Sequence, residues 1–168
     1  AAIGLFAGNY SVNVFDVNGC IASNNITISE PTALSASVSG TDVSCISGSD
    51  GSIDLNINNG TQPYTYIWSN GDTIEDLLGI ISGTYTVSIT DSCGDSATST
   101  ITITEPAALT SSAVSTNVSC NAGTDGSVDL SVAGGTTPYS YLWSSADTIE
   151  DISGLIADTF TVNITDAC

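Results

Sequence analysis

A period of 75 residues runs through the chain and confines it to architectures that build one small unit several times over. Gly4, Gly79 and Gly154 recur at that spacing, as do Glu30-Pro31 and Glu105-Pro106. The string Pro63-Tyr64-Thr65-Tyr66-Ile67-Trp68-Ser69 returns as Pro138-Tyr139-Ser140-Tyr141-Leu142-Trp143-Ser144, and Asp72-Thr73-Ile74-Glu75-Asp76 returns unchanged as Asp147-Thr148-Ile149-Glu150-Asp151. Biased composition does not reproduce such strings at one offset. The period divides the chain into the C-terminal part of a first repeat (1–31), a complete repeat (32–106) and a third repeat (107–168) that lacks its expected last strand. On that division the chain is expected to be a soluble, mature segment of a longer product.

Within a repeat the hydrophobic period is two, which is the mark of strands with one buried face. Ile53, Leu55 and Ile57 alternate with Ser52, Asp54 and Asn56, and Val128, Leu130 and Val132 do the same one repeat later. Tyr85, Val87 and Ile89 form another such strand, with Tyr10, Val12 and Val14 and Phe160, Val162 and Ile164 as its counterparts. Turn chemistry separates the strands at Ser49-Asp50-Gly51, Asn58-Asn59-Gly60, Asn70-Gly71-Asp72 and Ser82-Gly83, and no amphipathic stretch of helical length occurs. Six short antiparallel strands per repeat predict an all-β fold of tandem immunoglobulin-like β-sandwiches of about 75 residues each. Tyr64, Tyr66 and Trp68 share one strand face, and the tryptophan is expected to fill the space between two sheets rather than to stack on a sugar. Gly79-Ile80-Ile81-Ser82-Gly83-Thr84-Tyr85 resembles the corner at which a tyrosine hydroxyl ties back to the backbone; Phe160 lacks that hydroxyl.

Composition narrows the function. The chain has no Lys, Arg or His against 18 Asp and Glu, for a formal charge of −18. Phosphate backbones and anionic membranes repel such a chain, so nucleic acid and direct membrane insertion are not expected. With 41% apolar residues it can still bury a core. No apolar run is long enough to span a bilayer, and the first residues lack the basic region of a signal peptide. Catalysis is not expected either, since there is no His or Lys base, no nucleophile motif and little room for a cleft with two differently tuned carboxylates.

Val43-Ser44-Cys45, Asp50-Gly51-Ser52-Ile53-Asp54-Leu55, Pro63-Tyr64-Thr65-Tyr66-Ile67-Trp68-Ser69-Asn70-Gly71, Gly83-Thr84-Tyr85-Thr86-Val87, Thr90-Asp91 and Glu105-Pro106 together resemble the SprB-type repeat over the whole chain. The resemblance implies giant surface adhesins of gliding Bacteroidota, in which many immunoglobulin-like or PKD-like repeats are exported and displayed or moved as filaments. The sequence departs from the pattern at Cys93, where two residues of the turn seen in Asp16-Val17-Asn18-Gly19-Cys20 are expected to be missing.

Five repeat-spaced cysteines in a chain resembling secreted repeats suggest disulfides, and without His partners or Cys-x-x-Cys pairs a zinc site is not expected. The expected pairs are Cys45 with Cys93 and Cys120 with Cys168, each 48 residues apart, with Cys20 paired upstream; the alternative links one repeat to the next. A loop of that size contributes about 4 kcal/mol in the chain-entropy model. Asp72, Glu75 and Asp76, with Asp147, Glu150 and Asp151, are read as solvated turns, with Ca²⁺ ligation as the alternative; no other cofactor is called for. Thr73, Thr148 and Ser96 follow Asp and precede an apolar residue, the pattern of an O-glycosylation system of the same phylum.

The resulting expectation is a structural stalk or display scaffold of an extracellular cell-surface adhesin or filament. Its partners would be neighbouring repeats, other copies in a filament, and extracellular glycans or surfaces. The alternative is a module that itself grips a glycan or Ca²⁺. With no internal counter-charge, mutual repulsion is further expected to raise the carboxylate pKa values and make acid stabilising.

Overall fold

The computed structural model describes residues 2–168, which form thirteen strands and no helix. The first two, β1 (Gly8–Phe15) and β2 (Ile21–Ile28), pair antiparallel as a two-stranded ribbon. The middle repeat follows with β3 (Ser35–Thr41), β4 (Gly51–Asn58), β5 (Thr65–Trp68), β6 (Leu77–Ile80), β7 (Gly83–Thr90) and β8 (Ser96–Ile103). These make two antiparallel sheets, β3-β4-β6 and β5-β7-β8. The last repeat builds β9 (Thr110–Thr116), β10 (Gly126–Ala133), β11 (Ser140–Trp143), β12 (Ile152–Leu155) and β13 (Val162–Thr165) into the sheets β9-β10-β12 and β11-β13. The all-β, tandem β-sandwich architecture read from the two-residue period is the observed one.

Alternation places the core as the strand geometry requires. In β4, Ile53 and Leu55 are buried while Asp54 and Asn56 face solvent, and in β7, Tyr85, Val87 and Ile89 point inward between Thr84, Thr86 and Ser88. Trp68 closes the space between the sheets at 2% exposure, and its indole Nε1 donates to the Ile74 carbonyl at 2.9 Å. Trp143 repeats this with Ile149 at the same distance. Both are core residues, not sugar-stacking platforms. The tyrosine corner is also present: the Tyr85 hydroxyl donates to the Ile81 carbonyl at 3.0 Å, and Tyr10 to Phe6 at 2.9 Å.

The three copies differ in what covers them. Val87 is fully buried, whereas its counterpart Val12 in the β1-β2 ribbon is 57% exposed, because no second sheet faces the ribbon among the described residues. Eleven side chains are buried in the middle core against three in the last, Leu130, Trp143 and Ile152. In the middle repeat Ile103 of β8 lies against β3 and β4, so close that a Cβ on Gly51 would meet it at 3.1 Å. The equivalent place in the last repeat is an open groove lined by Val118, Gly126, Val128, Leu155 and Phe160.

One expectation about the turns is corrected. The turn carrying Cys93 has not lost two residues relative to the one carrying Cys20. Asp16 donates its amide to Cys20 and receives one from Gly19, both at 3.1 Å, and Asp91 does the same with Asp95 (3.0 Å) and Gly94 (3.1 Å). Both turns need a left-handed fourth residue, supplied by Gly19 (φ 85°) and Gly94 (φ 90°). The turn length is constant; the cysteine has moved from its fifth position to its third.

Candidate functional site

The two ends of a sandwich are built by different loops. At one end of the middle repeat, the segment after β3 is tied to the residues after β8. The Val43 amide donates to the Thr104 carbonyl at 3.1 Å, the Thr104 amide to Asp42 at 2.6 Å, and the Ser47 amide to Glu105 at 3.0 Å. At the other end, the β7–β8 turn holds the β4–β5 loop, since Asp91 accepts the Thr61 amide at 2.9 Å and the Ser92 amide donates to the Thr61 carbonyl at 3.0 Å. The eight residues of β8 separate these ends by roughly 25 Å at about 3.3 Å per residue.

That separation decides the disulfide. Cys45 lies in the first end and Cys93 in the second, whereas a bridge needs Cα atoms within about 7 Å. The expected Cys45–Cys93 and Cys120–Cys168 pairs are therefore not formed. Instead Cys45 of the middle repeat is joined to Cys168 of the last, across 123 residues, with a Cα–Cα distance of 5.8 Å. Cys20, Cys93 and Cys120 are free and exposed. Alongside the bridge the Thr136 hydroxyl donates to the Ser44 carbonyl at 2.8 Å, so the joint has a polar contact as well as a covalent one.

Aspartates hold both halves of this joint in shape. Asp50 accepts the Ser44 hydroxyl and its amide (3.0 Å), beside Cys45. Asp166 accepts the Thr136 amide at 3.0 Å and the Cys168 amide at 3.1 Å. These hydrogen bonds have an electrostatic consequence, because donors aimed at a carboxylate favour its charged form. The Ser44 hydroxyl and amide hold Asp50 below the usual carboxylate range, and the Ser119 hydroxyl and amide do the same for Asp125. The Thr104 amide lowers Asp42, and the Thr61 amide lowers the buried Asp91. Asp42, Asp50, Asp91 and Asp125 are thus shifted downward, opposite to the upward shift expected from mutual repulsion. Local N–H and O–H donors a hydrogen-bond length away outweigh like charges spread over a screened surface.

The acidic turns do not converge. Asp76 accepts the Leu55 amide at 2.9 Å, satisfying β4 beyond the point where β6 stops pairing with it, and Asp151 does the same for Leu130 at 2.9 Å. Asp72 is engaged by the Asn70 side chain at 2.6 Å and Asp147 by Ser145 at 2.8 Å. Glu75 and Glu150 face the tyrosines Tyr66 and Tyr141, whose hydroxyl pKa values are raised by burial first and by these charges second. Among the described residues no three His, Cys, Asp or Glu side chains gather as a metal cluster. Thr73, Ser96 and Thr148 are exposed, the two threonines at the same turn of successive repeats.

Sequence reasoning passed over the residues that shape the joint. Asp50 and Asp91 appear in it only as motif letters, and Thr136 not at all, although Ser-x₅-Asp before each β4-type strand and Asp at each β7-type strand end recur at 75 residues.

Among the described residues no helix is long and apolar enough to cross a membrane. No curated protein matches the chain. The family model of the SprB repeat matches residues 37–73 and 112–148, each span running from the β3-type strand through the cysteine loop and the buried tryptophan. That family is a structural repeat of cell-surface proteins and not an enzyme family. The chain carries two copies of the SprB repeat, one period apart.

Proposed function

We propose that this chain is a stalk segment of an extracellular cell-surface adhesin or filament, which holds an adhesive element away from the cell and does no chemistry of its own. The observation that carries this reading is the Cys45–Cys168 bridge between two repeats. Consecutive sandwiches joined by main chain alone can pivot about the linker. A second covalent tie, with the Thr136–Ser44 hydrogen bond beside it, restricts bending and twisting at the joint. Repetition then accumulates length, since each unit contacts its neighbours in the same way. The similar loops of the two repeats favour a scaffold over a dedicated binding module. Exposed Thr73 and Thr148, and Ser96, are the positions at which we place O-glycans.

The test is deletion of residues 32–106, one whole period, from the intact surface protein. A stalk predicts that cells still adhere and that immunogold label on the adhesive end moves inward by about one repeat, roughly 25–30 Å. Loss of adhesion with surface display intact would instead make the repeat itself the binding module.

A further inference from the structure

The halves of the joint between the middle and last repeats are each present a second time, unjoined. Cys120 stands one period after Cys45, and its loop is built identically. The Ser119 amide donates to Asp125 at 3.0 Å as Ser44 does to Asp50, and the Gly123 amide donates to the Cys120 carbonyl at 2.9 Å as Gly48 does to Cys45. Ser47 (φ 56°) and Ala122 (φ 61°) take the same left-handed conformation two residues after each cysteine. The loop therefore has one shape whether its sulfur is bridged or free.

Cys93 stands one period before Cys168, in the same third position of its turn. The Cys93 amide donates to Asp91 at 2.9 Å as Cys168 does to Asp166 at 3.1 Å, and the Thr61 amide donates to Asp91 as Thr136 does to Asp166. Thr61 is also the counterpart of Thr136, whose hydroxyl reaches the Ser44 carbonyl in the formed joint. Cys93 and Cys120 are both exposed thiols.

We infer that Cys93 and Cys120 are half-joints of the same staple and that their partner is another repeat of this kind. Cys120 takes the third-position turn cysteine of a repeat on its C-terminal side, and Cys93 takes the loop cysteine of a repeat on its N-terminal side. The staple then links each repeat to its neighbour and closes no loop within a repeat. Cys20, in the fifth position of its turn with Asn18 in the third, lies outside this geometry. Each joint forms one S–S bond from two thiols, and the two electrons and two protons pass to a disulfide oxidant, which is reduced to two thiols. The inference rests on the array reading of the chain, but a stalk can exist without staples, so the two fail separately.

The experiment extends the chain in phase with its period, placing a copy of residues 32–75 that carries Ile46→Val before residue 1 and a copy of residues 94–168 that carries Asn121→Ser and Ala167→Gly after Cys168, so that the copied cysteines give peptides of distinct mass. The product is refolded in oxidised and reduced glutathione, alkylated, cut with pepsin and mapped by mass spectrometry. Three linkages are expected: Cys45–Cys168, Cys120 to the appended Cys168, and Cys93 to the prefixed Cys45. Cys120→Ser should remove the second linkage alone and leave the other two at full yield. Alkylated Cys93 and Cys120, or either joined to a cysteine of its own repeat, would overturn the inference. If they are alkylated while small-angle scattering shows an extended particle, the stalk reading survives; a collapsed particle would end that as well.

Discussion

Breaking the Cys45–Cys168 bridge should destabilise one repeat and spare the other. The two cores share no buried residue, and the last contains only Leu130, Trp143 and Ile152 at full burial. When the last repeat unfolds while the middle one stays folded, the bridge closes a loop from Thr104, anchored on Asp42, to Cys168. The chain-entropy relation assigns about 4 kcal/mol to a loop of that length, and about 5 kcal/mol to the whole 123-residue separation if both repeats unfolded together. A small domain has roughly 5–15 kcal/mol in all, so the bridge is a large share of what holds the last repeat folded. The two tryptophans report the cores separately. Trp143 fluorescence in Trp68→Phe and Trp68 fluorescence in Trp143→Phe would each be followed through urea unfolding, oxidised and reduced. Comparing redox states within one variant cancels the cost of the Phe substitution. Reduction should lower the Trp143 midpoint by several molar at about 1 kcal/mol per molar, and move the Trp68 midpoint by much less. Equal shifts in both signals, or none in the Trp143 signal, would refute the view that the bridge staples one independently unfolding repeat onto its neighbour.

Removing the corner hydroxyl in Tyr85→Phe should cost about 1 kcal/mol in the middle repeat, and Phe160→Tyr should return a similar amount to the last repeat by reaching the Ile156 carbonyl; urea midpoints that do not move in opposite directions would count against this. A copy of residues 94–106 added after Cys168 should seat its isoleucine in the groove lined by Val118, Gly126, Val128, Leu155 and Phe160 and raise the Trp143 midpoint, and Ile103→Asp in the copy should abolish the gain. Acid should destabilise the fold: Asp42, Asp50, Asp91 and Asp125 have folded pKa values below their unfolded value near 4, so the stability they confer is present above about pH 4 and is lost as pH falls through the folded values. A melting temperature by circular dichroism that rises steadily from pH 7 to pH 2.5 would show that relief of repulsion wins instead.

The strands and the core were legible because alternation is a local signal: Ile53 and Leu55 against Asp54 and Asn56 specify a face whatever surrounds them. The tyrosine corner was legible for the same reason, since Tyr85 and Ile81 are four residues apart. The joint was not, and the cause lies in periodicity itself. In a strictly repeating chain a pairing from Cys45 to Cys93 and one from Cys45 to Cys168 differ by one period, and spacing alone gives them equal standing. What separates them is the direction of β8, which carries the chain from the turn end of a sandwich to the loop end. Any residue of the β3–β4 loop is therefore remote from its own β7–β8 turn and adjacent to the next one. The same geometry explains why the carboxylates were misjudged. Charge counting treats 18 carboxylates as alike, but Asp42, Asp50, Asp76, Asp91 and Asp166 each face a backbone amide left without a strand partner at an edge or an end. In a chain without a single Lys or Arg, amides and hydroxyls are the donors that remain for those carboxylates, so the acidic residues that matter most are the ones that finish the loops on either side of each joint.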